Sequence, residues 1–165
     1  MPGKRTRKQA PKASRPQIPG YGLPKSRKGL LSWSWAEQRL EKSHNYWIST
    51  ARSDGTPHTM VVWGLWLDGR FYFSTGQKSR KARNLAANPK CVICSDRAEQ
   101  AVIVEGVAEL VSDHVFRKQF GDLYQKKYDW DMKDFAEPIY VVRPRVAFGL
   151  FEKKFMGSAT RWKFE

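Results

Sequence analysis

Apolar positions along this chain fall mostly into short runs bounded by turn residues, with only three stretches at helical spacing. Ser34-Trp35-Ala36-Glu37 has the spacing of a capping box and predicts a helix of about ten residues that ends near His44. A strand is predicted from Asn45 to Ala51, then turn chemistry over Arg52–Pro57. His58 to Leu67 reads as one strand, and its run Met60-Val61-Val62-Trp63-Gly64-Leu65-Trp66-Leu67 predicts cover on both faces. Asp68-Gly69 is a two-residue hairpin signal leading into Arg70–Ser74. A short helix follows, capped by Ser79 and stopped by Asn88-Pro89. Strands at Lys90–Ser95 and Ala101–Val111 come next, the second with Gly106 as a candidate bulge. Asp113 caps a helix carrying Phe116, Phe120, Leu123 and Tyr124, and an acidic, aromatic loop or short helix over 128–137 follows. Ile139–Val142 is a strand, Pro144 is expected to break it, and Val146–Phe151 and Ala159–Phe164 complete the set. About eight hairpin-linked strands and three helices predict a mainly β chain, an antiparallel β-barrel with peripheral helices.

Charge divides the chain. The net charge is +14, yet residues 1–30 hold nine Lys/Arg and no Asp/Glu, which leaves about +5 for the other 135 residues. That first segment also holds five of the nine prolines and few large apolar residues, so residues 1–30 are expected to be a disordered or loosely draped basic arm and 31–165 the folded domain. Confinement of the basic surplus to the arm argues against nucleic-acid binding by the domain. No apolar run approaches a membrane span and no apolar segment follows the basic start, so a cytoplasmic protein with no membrane association is expected. Cys91 and Cys94 lie three apart in a predicted strand, on opposite faces, where they neither pair nor share a metal. His44, His58 and His114 have no carboxylate or cysteine neighbour at ligand spacing, and no metal site is expected.

The most informative stretch is Tyr72 to Leu85, a strand end, a polar turn and a helix start. Arg80 and Lys81 fall in the first helical turn, where the helix dipole disfavours cations. With Lys78 and Arg83 nearby, these charges make sense around a docked anion such as a phosphate. A solvated basic helix start is the alternative.

Over residues 46–111 the chain resembles the pyridoxamine 5'-phosphate oxidase-like family, the flavin-binding split β-barrels. The resemblance is carried by Asp54-Gly55-Thr56-Pro57-His58, Thr59-Met60-Val61-Val62-Trp63-Gly64, Ser74-Thr75-Gly76, Ser79-Arg80-Lys81, Asn88-Pro89 and Val104-Glu105-Gly106-Val107-Ala108. It implies that Thr59, Met60, Val61, Val62 and Trp63 lie along a flavin ring, largely through backbone groups. Ser74, Thr75, Lys78, Ser79, Arg80 and Lys81 would hold its phosphate. It also implies a homodimer with the cofactor at the subunit interface, and Trp162 is then a candidate for the partner-chain wall, with ordinary strand packing as the alternative. Thr59 and Gly64 stand where the oxidase has arginine and lysine, Ala101 where it has glutamine, and no histidine follows His114. These departures argue against pyridoxamine phosphate as substrate. The expected function is an FMN-dependent oxidoreductase acting on a small molecule. A reductase using the 8-hydroxy-5-deazaflavin coenzyme, and a non-catalytic cofactor-binding protein, remain as alternatives. No catalytic residue is assigned.

Overall fold

A computed structural model describes residues 10–165. In chain order it contains β1 (Lys12–Ser14), α1 (Trp33–Lys42), β2 (Tyr46–Ala51), β3 (Pro57–Val62), β4 (Gly64–Leu67), β5 (Arg70–Ser74), α2 (Arg80–Ala87), β6 (Lys90–Ser95), β7 (Val102–Leu110), α3 (His114–Tyr128), β8 (Ile139–Gly149), α4 (Phe155–Ser158) and β9 (Thr160–Lys163). All strand pairs are antiparallel, in the order β1-β9-β8-β7-β6-β2-β3. The β4–β5 hairpin leaves this path and joins it through β5, which pairs with Ile139–Val142 of β8. The sheet does not close, because β3 has a strand partner on one side only. This is the mainly β, split antiparallel barrel with peripheral helices that the residue pattern predicts.

Alternation along the strands sorts side chains between two faces. Ile48, Ile93, Val104, Ala147 and Trp162 share one register across β2, β6, β7, β8 and β9 and are fully buried. They meet Ala36 and Leu40 of α1 in the main core, while α3 covers a smaller cluster built on Leu65, Tyr72, Phe120 and Ile139. Cys91 faces the core and Cys94 the other side, as their spacing predicts, and burial raises both thiols, Cys91 to about 12. The Asp68-Gly69 hairpin forms with φ of 49° and 75°, the left-handed pair this turn requires.

Four expectations are corrected. The α1 cap is Ser32, whose Oγ accepts from Trp35 N–H at 3.2 Å; Ser34 lies inside the first turn and bonds the Ser32 hydroxyl at 3.0 Å. The apolar run 58–67 is two strands broken at Trp63, and β3 is an edge strand with Met60 and Val61 exposed at 46% and 44%. Pro144 does not break β8. A register shift between Glu105 and Gly106 pairs Gly106 with Pro144 and Glu105 with Val146, a bulge that accommodates a residue with no N–H. Finally, residues 12–30 are not free of the domain. Lys12–Ser14 pairs with Arg161–Lys163 of β9. The Arg15 guanidinium donates to the carbonyls of Gly157, Ala159, Lys28 and Ser26 at 2.6, 2.9, 2.6 and 3.1 Å. Residues 1–9 of the expected arm lie outside the described residues. No described helix is long and apolar enough to cross a membrane.

Candidate functional site

The strand break at Trp63 opens a cavity of about 340 Å³ between β3, the end of β5 and α2. Its walls are Val61, Val62, Trp63, Ser74, Thr75, Lys81 and Tyr124. Six of these were singled out from the sequence, from two stretches more than ten residues apart. The pairing of Gly64 with Phe73 in the β4–β5 hairpin brings the two stretches together.

The polar end is built by the β5–α2 connection. Ser79 caps α2, its Oγ accepting from Ala82 N–H at 3.2 Å and lying 3.1 Å from Thr75 Oγ1. Ser74 Oγ donates to the Pro138 carbonyl at 2.6 Å. The buried Asn84 side chain donates to Thr50 Oγ1 at 3.0 Å and ties α2 to β2. The helix start therefore has a fixed place beside the strands. Lys81 is half-buried in the cavity wall, and burial lowers its pKa. No ion pair to Lys81 or Arg80 occurs among the described residues. Arg80 is partly buried, Lys78 exposed, and both flank the cavity without lining it. A cation held partly out of water with no carboxylate beside it favours an anion that can be hydrogen-bonded there.

The other end is aromatic and rigid. Trp63 donates from Nε1 to Asn45 Oδ1 at 3.1 Å and stacks on Tyr128 with centroids 4.6 Å apart and planes 7° from parallel. The Tyr128 hydroxyl accepts from Gly64 N–H at 2.9 Å and faces the Gly64 and His44 carbonyls at 2.7 and 2.8 Å. Gly64 leaves no room for a side chain, since a Cβ would collide with the Phe71 ring and lie 2.7 Å from the Tyr72 carbonyl oxygen. Lys127 Nζ donates to Gly64 O at 3.1 Å and Tyr46 Oη at 2.8 Å. The break that forms the cavity is thus held from α3.

Tyr124 of α3 is the wall residue that sequence reasoning did not assign to the site; its three- and four-residue spacing marks it only as an apolar helix face. Burial raises its phenol pKa. Thr59 and Met60 are exposed on β3 and do not line the cavity. For Trp162 the chain shows the alternative, ordinary strand packing. The residue is fully buried, its ring against Gly149 and edge-on to Trp33 at 5.3 Å, and so is core packing with no surface for a ligand.

With cations and hydroxyls at one end and an apolar strand and two aromatic rings at the other, the cavity matches a flat ring joined to a phosphate. Among the described residues no carboxylate, histidine or cysteine lines it.

The family model for pyridoxamine 5'-phosphate oxidase matches residues 35–151. A pyridoxine/pyridoxamine 5'-phosphate oxidase from Anaeromyxobacter dehalogenans is 39% identical over 69 residues, 40% of this chain and 35% of that protein. The match therefore spans about a third of that relative's length. Among solved structures, an F420 reductase is similar at 27% identity and a TM-score of 0.56, covering 67% of this chain and 94% of that one. A conserved hypothetical protein from Mycobacterium tuberculosis is similar in fold at 22% identity and a TM-score of 0.65, covering 75% and 87%.

Proposed function

The chain belongs to the pyridoxamine 5'-phosphate oxidase family, and on that premise we propose that it binds a phosphate-bearing coenzyme of the flavin class and acts as an oxidoreductase on a small molecule. The observation that carries this reading is the convergence of Val61, Val62 and Trp63 with Ser74, Thr75 and Lys81 around one cavity. The coenzyme would supply the hydride or electron chemistry. The chain's own residues bind and orient. Lys81, Arg80 and the Ser74, Thr75 and Ser79 hydroxyls hold the phosphate, the β3 edge offers unpaired backbone groups, and Trp63 and Tyr124 shield the ring end from water.

FMN meets these requirements. The deazaflavin coenzyme meets them equally, and the likeness to an F420 reductase supports it. Replacing both Arg80 and Lys81 with alanine removes charge-assisted bonds of about 1.5–3 kcal/mol each. Affinity for either coenzyme, followed by fluorescence titration, should fall at least about tenfold. Unchanged binding overturns the phosphate assignment.

A homodimer with the site at its interface completes the proposal. The outer face of the sheet carries Val61, Trp47, Cys94, Ile103 and Phe148 in one register across β3, β2, β6, β7 and β8. Trp47 and Val61 are 48% and 44% exposed, and an apolar row of this extent favours a protein partner. Because Val61 also lines the cavity, a second copy on this face would border the site.

A further inference from the structure

Glu137 lies outside the cavity lining, with its carboxylate on the loop that leads into α2 and builds the polar end. Its Oε2 accepts the backbone N–H of Gln77 at 2.8 Å. The segment that carries it is pinned from two sides. Ser74 Oγ donates to the next residue's carbonyl, Pro138 O, at 2.6 Å. From α3, Arg117 Nη2 donates to the carbonyls of Phe135, at 3.3 Å, and Glu137. Among the described residues no Lys or Arg nitrogen pairs with the Glu137 carboxylate. Gln77 lies two residues from Thr75, so a carboxylate with no ion-pair partner among the described residues sits within roughly 10 Å of a hydroxyl that faces the cavity. A loop meant only to attract anions has no use for it.

We propose that Glu137 sets the charge class of the phosphate this pocket accepts, disfavouring a doubly charged phosphomonoester relative to a singly charged phosphodiester. This rests on the phosphate site proposed above. Repulsion scales with the charge of the ligand, so Glu137 opposes a dianion about twice as strongly as a monoanion at the same place. The carboxylate also occupies the Gln77 amide, which removes one backbone donor from the loop. A diester, with two non-bridging oxygens and one charge, asks less of the remaining donors than a monoester with three oxygens. FMN is a monoester. A deazaflavin or flavin whose phosphate is esterified on both sides belongs to the favoured class.

The test holds the ring constant and changes only the phosphate. Riboflavin, FMN and the methyl phosphodiester of FMN are titrated at pH 7.5, where a monoester is mostly dianionic, against the wild-type chain and Glu137→Gln. Glutamine keeps an acceptor for Gln77 and loses the charge. A Glu137→Ala variant repeats the measurement without the acceptor, and thermal melts verify that both variants fold. The expected result is a rise in FMN affinity of about three- to tenfold in Glu137→Gln, with a smaller rise for the diester, so the ratio of affinities moves toward FMN. An equal change for the two esters, or none, overturns the role of Glu137 and leaves the phosphate site standing. Riboflavin binding the wild type as tightly as both esters removes the phosphate site itself, and this proposal with it.

Discussion

Gly64 is the residue on which the site turns. Its N–H and carbonyl are held by Tyr128, and Lys127 shares the carbonyl. The Lys127 amine lies over the rings of Tyr46 and Tyr128, 4.8 and 5.2 Å from their centroids. Burial pushes its pKa down to about 8, with Asp96 pulling weakly the other way. A lysine in the unfolded chain titrates near 10.4, so between about pH 8 and 10 the unfolded state binds more protons than the folded one, and stability rises with pH. Below that window both states are protonated and the cost of burying the charge is fully present. Within the same window the thiols of Cys91 and Cys94, both raised by burial, act in the opposite direction, and above it the phenols of Tyr46 and Tyr128 add to them. Between pH 7.5 and 9.5 the change in unfolding free energy, read from urea curves, should therefore be more favourable in the wild type than in Lys127→Met, by less than about 2 kcal/mol because the amine is only half-buried. An equal pH dependence in the two proteins assigns it to other groups. None of this is legible in the sequence. Ser79 and Asp113 can be read as caps because a cap and its helix are adjacent, whereas nothing local to Lys127 or Tyr128 points to a glycine on a distant strand.

At the scale of elements, local pattern identifies strands well and their surroundings poorly. The run 58–67 is apolar throughout, yet its halves have different neighbours. The first half is a sheet edge whose outer side is bare, and the second is buried under α1 and α3. Composition is blind to that difference. Pro144 misleads for a related reason, since only the pairing of β7 with β8 reveals the bulge that accepts it. The N-terminal segment is the third case. Its low apolar content conceals that Arg15 satisfies four carbonyls, two on the 18–29 loop and two at the end of α4. Arg15→Met should release β1 and the 18–29 loop from the domain. Trypsin cleavage after Lys25, Arg27 or Lys28 should accelerate at least about tenfold, in line with losing charge-assisted bonds of about 1.5–3 kcal/mol each. Cleavage at the wild-type rate rules out Arg15 as the anchor.

For the molecule as a whole, the barrel was legible because hairpin turns, alternation and family motifs all point one way. The polar end of the site was legible for the same reason, since its cap, cations and hydroxyls lie within one short stretch. The missing wall, Tyr124, comes from a helix that reaches the cavity only once β4 and β5 have packed beneath it. The apolar outer face belongs to this scale too, because its members are neighbours only in the assembled sheet. Ile103→Glu places a charge in the middle of that row. The mass in solution measured by light scattering should fall from that of a pair to that of one chain, with the melting of the monomer little changed because Ile103 faces away from the core. A variant that stays paired places the interface elsewhere.

The pairing of Lys12 with Lys163 joins residues from opposite ends of the described chain. During synthesis the first strand emerges almost a whole chain ahead of the strand it must meet. Until β9 arrives, the second half of β8 keeps an open edge and the ring of Trp33 lacks Trp162 beside it. Pairings this remote in sequence close slowly. Nascent chains of this protein therefore carry an unfinished sheet until β9 has been made.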